Sequence, residues 1–158
     1  MHYRRKGTSH YTEVAPRVIY IIHAPVEDRC VYIGHCRKDL LMDVYRSHLR
    51  EERYKTRIFI DECKEADIRP CCHILEEVVN TKVMAYRHVI AWNRILEDNG
   101  YMILDPGRVN EYMYDMQPYT RSIYDAHKGD DLSQSLSCEN CIVRLRAGKL
   151  CNQYSTNP

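Results

Sequence analysis

Short β-branched apolar runs near the N-terminus, followed by longer stretches with helical spacing, predict an α+β fold for this chain. Three observations carry that prediction. Two tyrosine-bearing apolar runs, residues 18–23 and 30–34, flank a turn opened by Pro25, which favours an antiparallel hairpin. From Asp39 onward apolar residues recur at three- and four-residue steps. A third β-rich run near Cys72 then precedes a long amphipathic stretch that Thr81 can cap. The expected sheet is small, mixed or antiparallel and three-stranded, with a fourth strand if "YMIL" pairs.

Residues 1–16 are polar and basic and are expected to form a flexible arm ending at Pro16. "VIYIIH" gives the first strand, residues 24–29 the turn, and "CVYIG" the second strand. Leu40, Leu41, Val44, Tyr45 and Leu49 then line one face of a helix, with Asp39 as its expected N-cap. Residues 58–66 continue helically, "IRPCCHILEEV" gives a third strand, and residues 82–98 a long helix. Asn99-Gly100 ends that helix, because glycine adopts the left-handed cap without strain. Beyond Gly107 the composition turns rich in tyrosine and serine. Residues 17–107 therefore read as the main domain, 108–137 as a linker or partly ordered segment, and 138–158 as a small Cys-rich unit.

Charge is almost balanced, 23 Lys and Arg against 22 Asp and Glu for a net +1. That excludes a protein that coats nucleic acid through bulk charge, so any such contact needs a local patch. Thirteen tyrosines against one phenylalanine and one tryptophan point to half-wet contact surfaces. There is no membrane-length apolar run and no signal-like segment, so the expectation is an intracellular protein, cytoplasmic or nuclear, not secreted and without membrane partners.

The ordered set "VIY", "YIG" (residues 32–34), "DVYRSHL" and "ILEEVVNTKVMAYRHVIAWNRILEDNGYMIL" resembles the catalytic domain of the GIY-YIG nuclease superfamily, in its phage homing-endonuclease form, over about residues 17–104. The resemblance implies a GIY-YIG-like sheet flanked by helices and a phosphodiester-facing site. Tyr20 and Tyr32 would be its phenols, His48 its helix histidine, and Gly34 the place where backbone approaches phosphate. It also implies Mg²⁺ or Mn²⁺, should the protein cut.

The chain departs from that pattern at the polar positions that matter. Val18 replaces the first-motif glycine, Val44 the helix arginine, Arg87 the metal-binding glutamate and Met102 the late asparagine. Arg46 lies two residues from Val44, about 200° around a helix, and cannot simply substitute. A hard cation needs oxygen ligands, which a guanidinium repels. The first expectation is therefore a pseudo-nuclease module that holds nucleic acid, DNA ahead of RNA, or a protein partner without metal-dependent hydrolysis. Gly34, Arg37, Arg46, Arg87, His88 and Arg94 are its candidate contacts. A divergent endonuclease using Tyr20, Tyr32 and His48 with Glu76 or Glu77 is the alternative. A third reading is a subunit docked into a larger complex through its tyrosine-rich segment. Whether the protein is an enzyme, and its oligomeric state, stay open at this point.

The tail carries the other chemical signal. Cys138-x2-Cys141 has knuckle spacing, and Cys151 follows. Structural zinc takes four N or S ligands, so a zinc site is expected from Cys138, Cys141, Cys151 and a fourth group. His127 is one candidate for the fourth position; Cys71 or Cys72, reached from the core, are the others. Cys30, Cys36 and Cys63 read as small buried hydrophobes.

Overall fold

The computed structural model describes residues 12–24, 30–50, 53, 56–104 and 117–142. Of residues 134, 135 and 138 only the backbone is described. The turn 25–29, most of the N-terminal arm, Cys151 and most of the Cys-rich unit lie outside these residues.

Four strands form one mixed sheet in the order β3-β1-β2-β4. β1 (Ala15–His23) pairs antiparallel with β2 (Cys30–Arg37) and with β3 (Cys71–Asn80). The short β4 (Met102–Ile103) runs parallel to β2, so "YMIL" does supply the fourth strand. β1 starts two residues earlier than the arm boundary implied, with Ala15 and Pro16 opposite Asn80 and Val79. Proline is tolerated at the opening of a strand. β3 is also longer than the apolar run alone indicates, because Glu76, Glu77 and Asn80 stay in the ladder with β1.

β1 is the central strand, and its near-continuous "VIYII" run serves two cores, one on each face of the sheet. Val18, Tyr20 and Ile22 face α1 (Leu41–Leu49) and α2 (Arg57–Glu65), where Tyr45, Phe59, Ile60 and Cys63 close over them. Ile19 and Ile21 face α3 (Lys82–Asp98), whose Val89, Trp92, Ile95 and Leu96 cover that side. α4 (Pro118–His127) and the short α5 (Leu132–Ser135) follow. They fall within the segment read as linker or partly ordered, and Ile123, Leu132 and Leu136 are buried.

The ends of α3 agree with its sequence signals. The Thr81 hydroxyl accepts from the Met84 amide at 3.2 Å, and Gly100 sits at φ 86° just past the helix. Asp39 does not cap α1. A 3-10 turn, Lys38–Leu40, intervenes, Leu40 holds the cap position without a side-chain bond, and Asp39 instead accepts from Arg37. No helix of the described residues is long and apolar enough to cross a membrane.

Candidate functional site

Tyr20 and Tyr32 meet on the α1 face because β1 pairs Tyr20 with Gly34 and Ile22 with Tyr32. The two tyrosines are thus diagonal neighbours, with ring centroids 6.2 Å apart. Gly34 is what lets Tyr20 lie flat against β2. A Cβ there would stand 2.8 Å from the Tyr20 hydroxyl oxygen and 3.1 Å from the Tyr32 ring. The space that the resemblance reserves for a phosphate beside this glycine is filled by the Tyr20 ring.

α1 brings His48 to the same place. His48 is only 1% exposed. Nε2 lies 3.2 Å from the Tyr20 hydroxyl, Nδ1 lies 2.7 Å from Thr56 Oγ1, and the ring packs 5.0 Å from that of Tyr32. The Thr56 hydroxyl points to the Arg53 carbonyl at 3.4 Å, so it accepts from His48 Nδ1–H. Nε2 then carries the lone pair that accepts the hydrogen bond from the Tyr20 hydroxyl. Burial, with Arg53 adding to it, lowers the His48 pKa to about 4. Burial, then Tyr32, pushes the Tyr20 phenol well above its ordinary range. The neutral pair Tyr20–His48 is therefore the stable form near neutral pH.

A cavity of about 280 Å³ opens beside this pair, lined by Tyr20, Tyr32, His35, Cys36, Leu40 and Val44 together with four cationic side chains. The cations are Arg17, Arg37, Arg53 and Lys82, and no carboxylate joins them among the described lining residues. Arg37 is partly committed, pairing with Glu13 at 2.7 Å and Asp39 at 3.3 Å. Arg53 reaches in from beyond α1, braced by its Nε–H donating to Ser47 Oγ at 2.9 Å. It restores a guanidinium close to the phenols although Val44 stands at the expected helix position.

Arg17 is the unusual member. It is 3% exposed, its Nε donates to the Asn80 carbonyl at 3.3 Å, and its Nη2 has no hydrogen-bond partner. A guanidinium keeps its charge at any physiological pH, and a buried charge without a counter-ion is costly. Burial, together with Arg17 and Lys82, lowers the His35 pKa to about 4, and burial raises the Cys36 thiol to about 11.

The remaining candidate contacts lie elsewhere. Arg46 pairs with Asp43 on the exposed side of α1, and Arg94 with Asp98 on α3. His88 is 6% exposed and belongs to a buried cluster, not a basic edge. Its Nδ1–H donates to Glu76 at 2.8 Å while its Nε2 accepts from the Tyr119 hydroxyl at 3.0 Å. Trp92 Nε1–H donates to the same Glu76 oxygen at 2.9 Å, and His127 Nε2 meets the other oxygen at 3.3 Å. Burial alone would raise the Glu76 carboxyl, but His88, Trp92 and His127 together hold it below the usual value. Arg87 is half-buried on α3 and does not line the cavity.

His127 cannot serve the cysteines as expected. Both its ring nitrogens are engaged, Nε2 with Glu76 and Nδ1 with Asp130 at 3.0 Å, and its ring lies 4.9 Å from that of Trp92. A group that could hold a metal ion gathers instead where β1 ends and β3 begins. The donor atoms of His23, Cys71 and His73 all lie within 4.8 Å of one another, compact enough for one metal ion. Antiparallel register puts His23 opposite Cys71, with His73 two residues along the same face, and the two imidazoles stack 4.9 Å apart. His23 Nδ1–H donates to the Ala24 carbonyl at 2.9 Å, which leaves Nε2 as a lone pair. That Nε2 and both nitrogens of His73 are buried without a hydrogen bond of good geometry, the Leu136 and Asn140 backbones making only looser approaches to the two rings. Burial lowers both histidines, His73 to about 4, so both are the neutral imidazoles a metal needs.

Sequence patterns did not single out Arg17, His35, Arg53, Lys82, His23 or His73. Arg17 follows Pro16 at a strand start, and Arg53 sits in a mixed-charge stretch, where both look like solvated charge. Cys71-x-His73 was the one available signal for the metal group, since alternation puts both side chains on one face of a strand. No family model matches the chain, and no curated protein or solved structure matches it either.

Proposed function

We propose that the cavity beside Tyr20 and Tyr32 holds a phosphodiester of a DNA backbone and does not hydrolyse it. The observation that carries this reading is the buried Arg17 guanidinium, short of a counter-ion, in a cavity with three further cations and no described carboxylate. An anion would neutralise it, and a phosphate oxygen matches a guanidinium's paired donors. The flanking phenols add ring faces and hydroxyls to such a contact. The resemblance to GIY-YIG nucleases also puts a phosphate near the two tyrosines, although the place it reserves beside Gly34 is taken by the Tyr20 ring.

One observation favours the hydrolytic alternative: the Tyr20–His48–Thr56 chain could move a proton. A hard metal would still need a carboxylate, and both candidates are committed elsewhere. Glu76 is held by His88, Trp92 and His127, and Glu77 by Lys38. A docked protein subunit remains the reading to adopt if anionic ligands fail to bind.

The test is a titration of a labelled DNA oligonucleotide against wild type, Arg17→Met and Arg53→Met. With three cations engaged, log K should fall against log salt with a slope of about −2 for single strands. Either substitution should weaken binding by about tenfold. Arg17→Met should also leave thermal stability unchanged or raised, because it removes an unneutralised buried charge. Binding that ignores both arginines, or Arg17→Met with lost stability and intact binding, would contradict the proposal.

For the group at His23, Cys71 and His73 we propose zinc in a structural role. Two imidazoles and a thiolate are donors that suit this metal, and all three sit on secondary structure away from the cationic cavity.

A further inference from the structure

Three elements meet near the stacked histidines. His23 closes β1, Cys71 and His73 open β3, and the C-terminal segment arrives through the 3-10 turn Cys138–Asn140. That segment is anchored at two depths. Leu132 and Leu136 join the apolar core under α3, while Cys141 is fully buried in the core under α1 and α2. The Cys141 sulfur accepts from the Cys72 amide at 3.3 Å, on the outer edge of the sheet. It also lies close enough to act electrostatically on the rings of both His23 and His73, just outside the set of three donors that gather within 4.8 Å, and the backbones of Leu136 and Asn140 approach the His23 and His73 rings at hydrogen-bonding range.

Three protein ligands would leave a zinc ion one position short of a closed structural site. We propose that Cys141 supplies the fourth ligand, so that one zinc ion bound by His23, Cys71, His73 and Cys141 staples the C-terminal segment to the edge of the sheet. This inference rests on the zinc reading given above and adds the fourth ligand and the mechanical role.

The Cys2His2 set follows from the fold. His23 and Cys71 face each other only because β1 and β3 are antiparallel in this register, and His73 joins them by alternation. Cys141 comes from 68 residues beyond His73 and has no local reason to be there. The backbone bond from Cys72 fixes its sulfur, in the way that amide donors commonly orient metal-bound thiolates. β3 is an edge strand, and the Cys141 sulfur takes its Cys72 amide at this end. The arrangement also explains why the buried nitrogens of His23 and His73 have no hydrogen bond of good geometry, since a metal is the partner they would take.

The proposal is tested on the full chain by metal analysis, by cobalt(II) substitution, and by proteolysis with and without a chelator. Wild type should carry one zinc per chain, and its cobalt form should show the intense visible bands of a tetrahedral site with thiolate charge transfer. Cys141→Ser should lower zinc affinity by on the order of 100-fold or more, beyond the loss of an outer-shell partner. Cys138→Ser should leave it within threefold. Chelation of the wild-type protein should speed proteolytic removal of the segment after α4, a readout that needs no variant to fold. Cys141→Ser with wild-type zinc affinity would overturn the staple and leave the zinc reading standing. Wild type that is folded by circular dichroism, binds no zinc and shows chelator-insensitive proteolysis would overturn both.

Discussion

Replacing Glu76 with alanine is expected to destabilise the fold by about 2–4 kcal/mol, read as a lowered urea midpoint. The carboxylate accepts from His88 Nδ1–H and Trp92 Nε1–H at 2.8 and 2.9 Å and meets His127 at 3.3 Å. His88 is 6% and Trp92 1% exposed, so both donors would be left buried without an acceptor. The loss has a spatial signature as well. His127 ends α4, and Tyr119 in the same helix donates to His88, so α4 should become protease-sensitive before the rest of the chain. Glu76→Gln, which keeps an acceptor and the volume, should lose only about 1 kcal/mol. A catalytic metal carboxylate would behave in the opposite way. Both variants would then keep wild-type stability and lose a cleavage activity.

Acid should unfold the protein in a window to which His35 and His73 contribute alongside His48. The His48 pKa is about 4 in the folded state against 6.5 for the free side chain, so the unfolded chain binds more protons between those values. Stability is therefore fully present above pH 6.5 and is lost as pH falls toward 4. A shift of that size corresponds to roughly 3 kcal/mol, at most about 1.4 kcal/mol per pH unit along the way. Among the described residues, Tyr20, Tyr32 and Arg53 are the ionisable groups facing the ring. His48→Gln should be less stable than wild type at pH 7, because it cannot bond Tyr20 and Thr56 together. Its stability should nevertheless fall less steeply between pH 6.5 and 4. Parallel pH profiles for the two proteins would show that His48 is not buried neutral.

Much of this fold can be read from local chemistry. β1 and β2 are visible as β-branched runs around a proline turn, and α3 as a long periodic stretch between Thr81 and Gly100. Each signal is a few residues wide and is decided by the chain's own neighbours. The same locality limits what can be read. The polar half of β3 looks like a strand end because Glu76 and Glu77 are charged, yet Glu76 is the acceptor for side chains from α3 and α4. α4 has ordinary helical spacing but lies in a tyrosine- and serine-rich stretch, and it is held by Tyr119 and His127 meeting partners far back in the chain.

The candidate site divides along the same line. Tyr20, Tyr32 and His48 were legible through ordered tripeptides, and they do come together. The cations around them were not, because Arg17, Arg53 and Lys82 come from a strand start, a loop and a helix start. Only the folded register brings those three into one cavity. The metal group shows the same effect more sharply. The eye is drawn to Cys138-x2-Cys141, whereas the compact donor set comes from two strands, and Cys141 from a distant segment bonds the neighbouring Cys72 amide.

The central claim is that the cavity holds phosphate without cutting it, and a plasmid assay tests that most directly. Supercoiled plasmid would be incubated with wild type, Tyr32→Phe and His48→Ala, in Mg²⁺, Mn²⁺ or EDTA, and resolved on one gel. The account predicts that wild type retards the plasmid in a salt-sensitive way and leaves it supercoiled under all three conditions. Metal-dependent nicking that both substitutions abolish would contradict it, and would mean that a carboxylate outside the cavity lining completes an active nuclease.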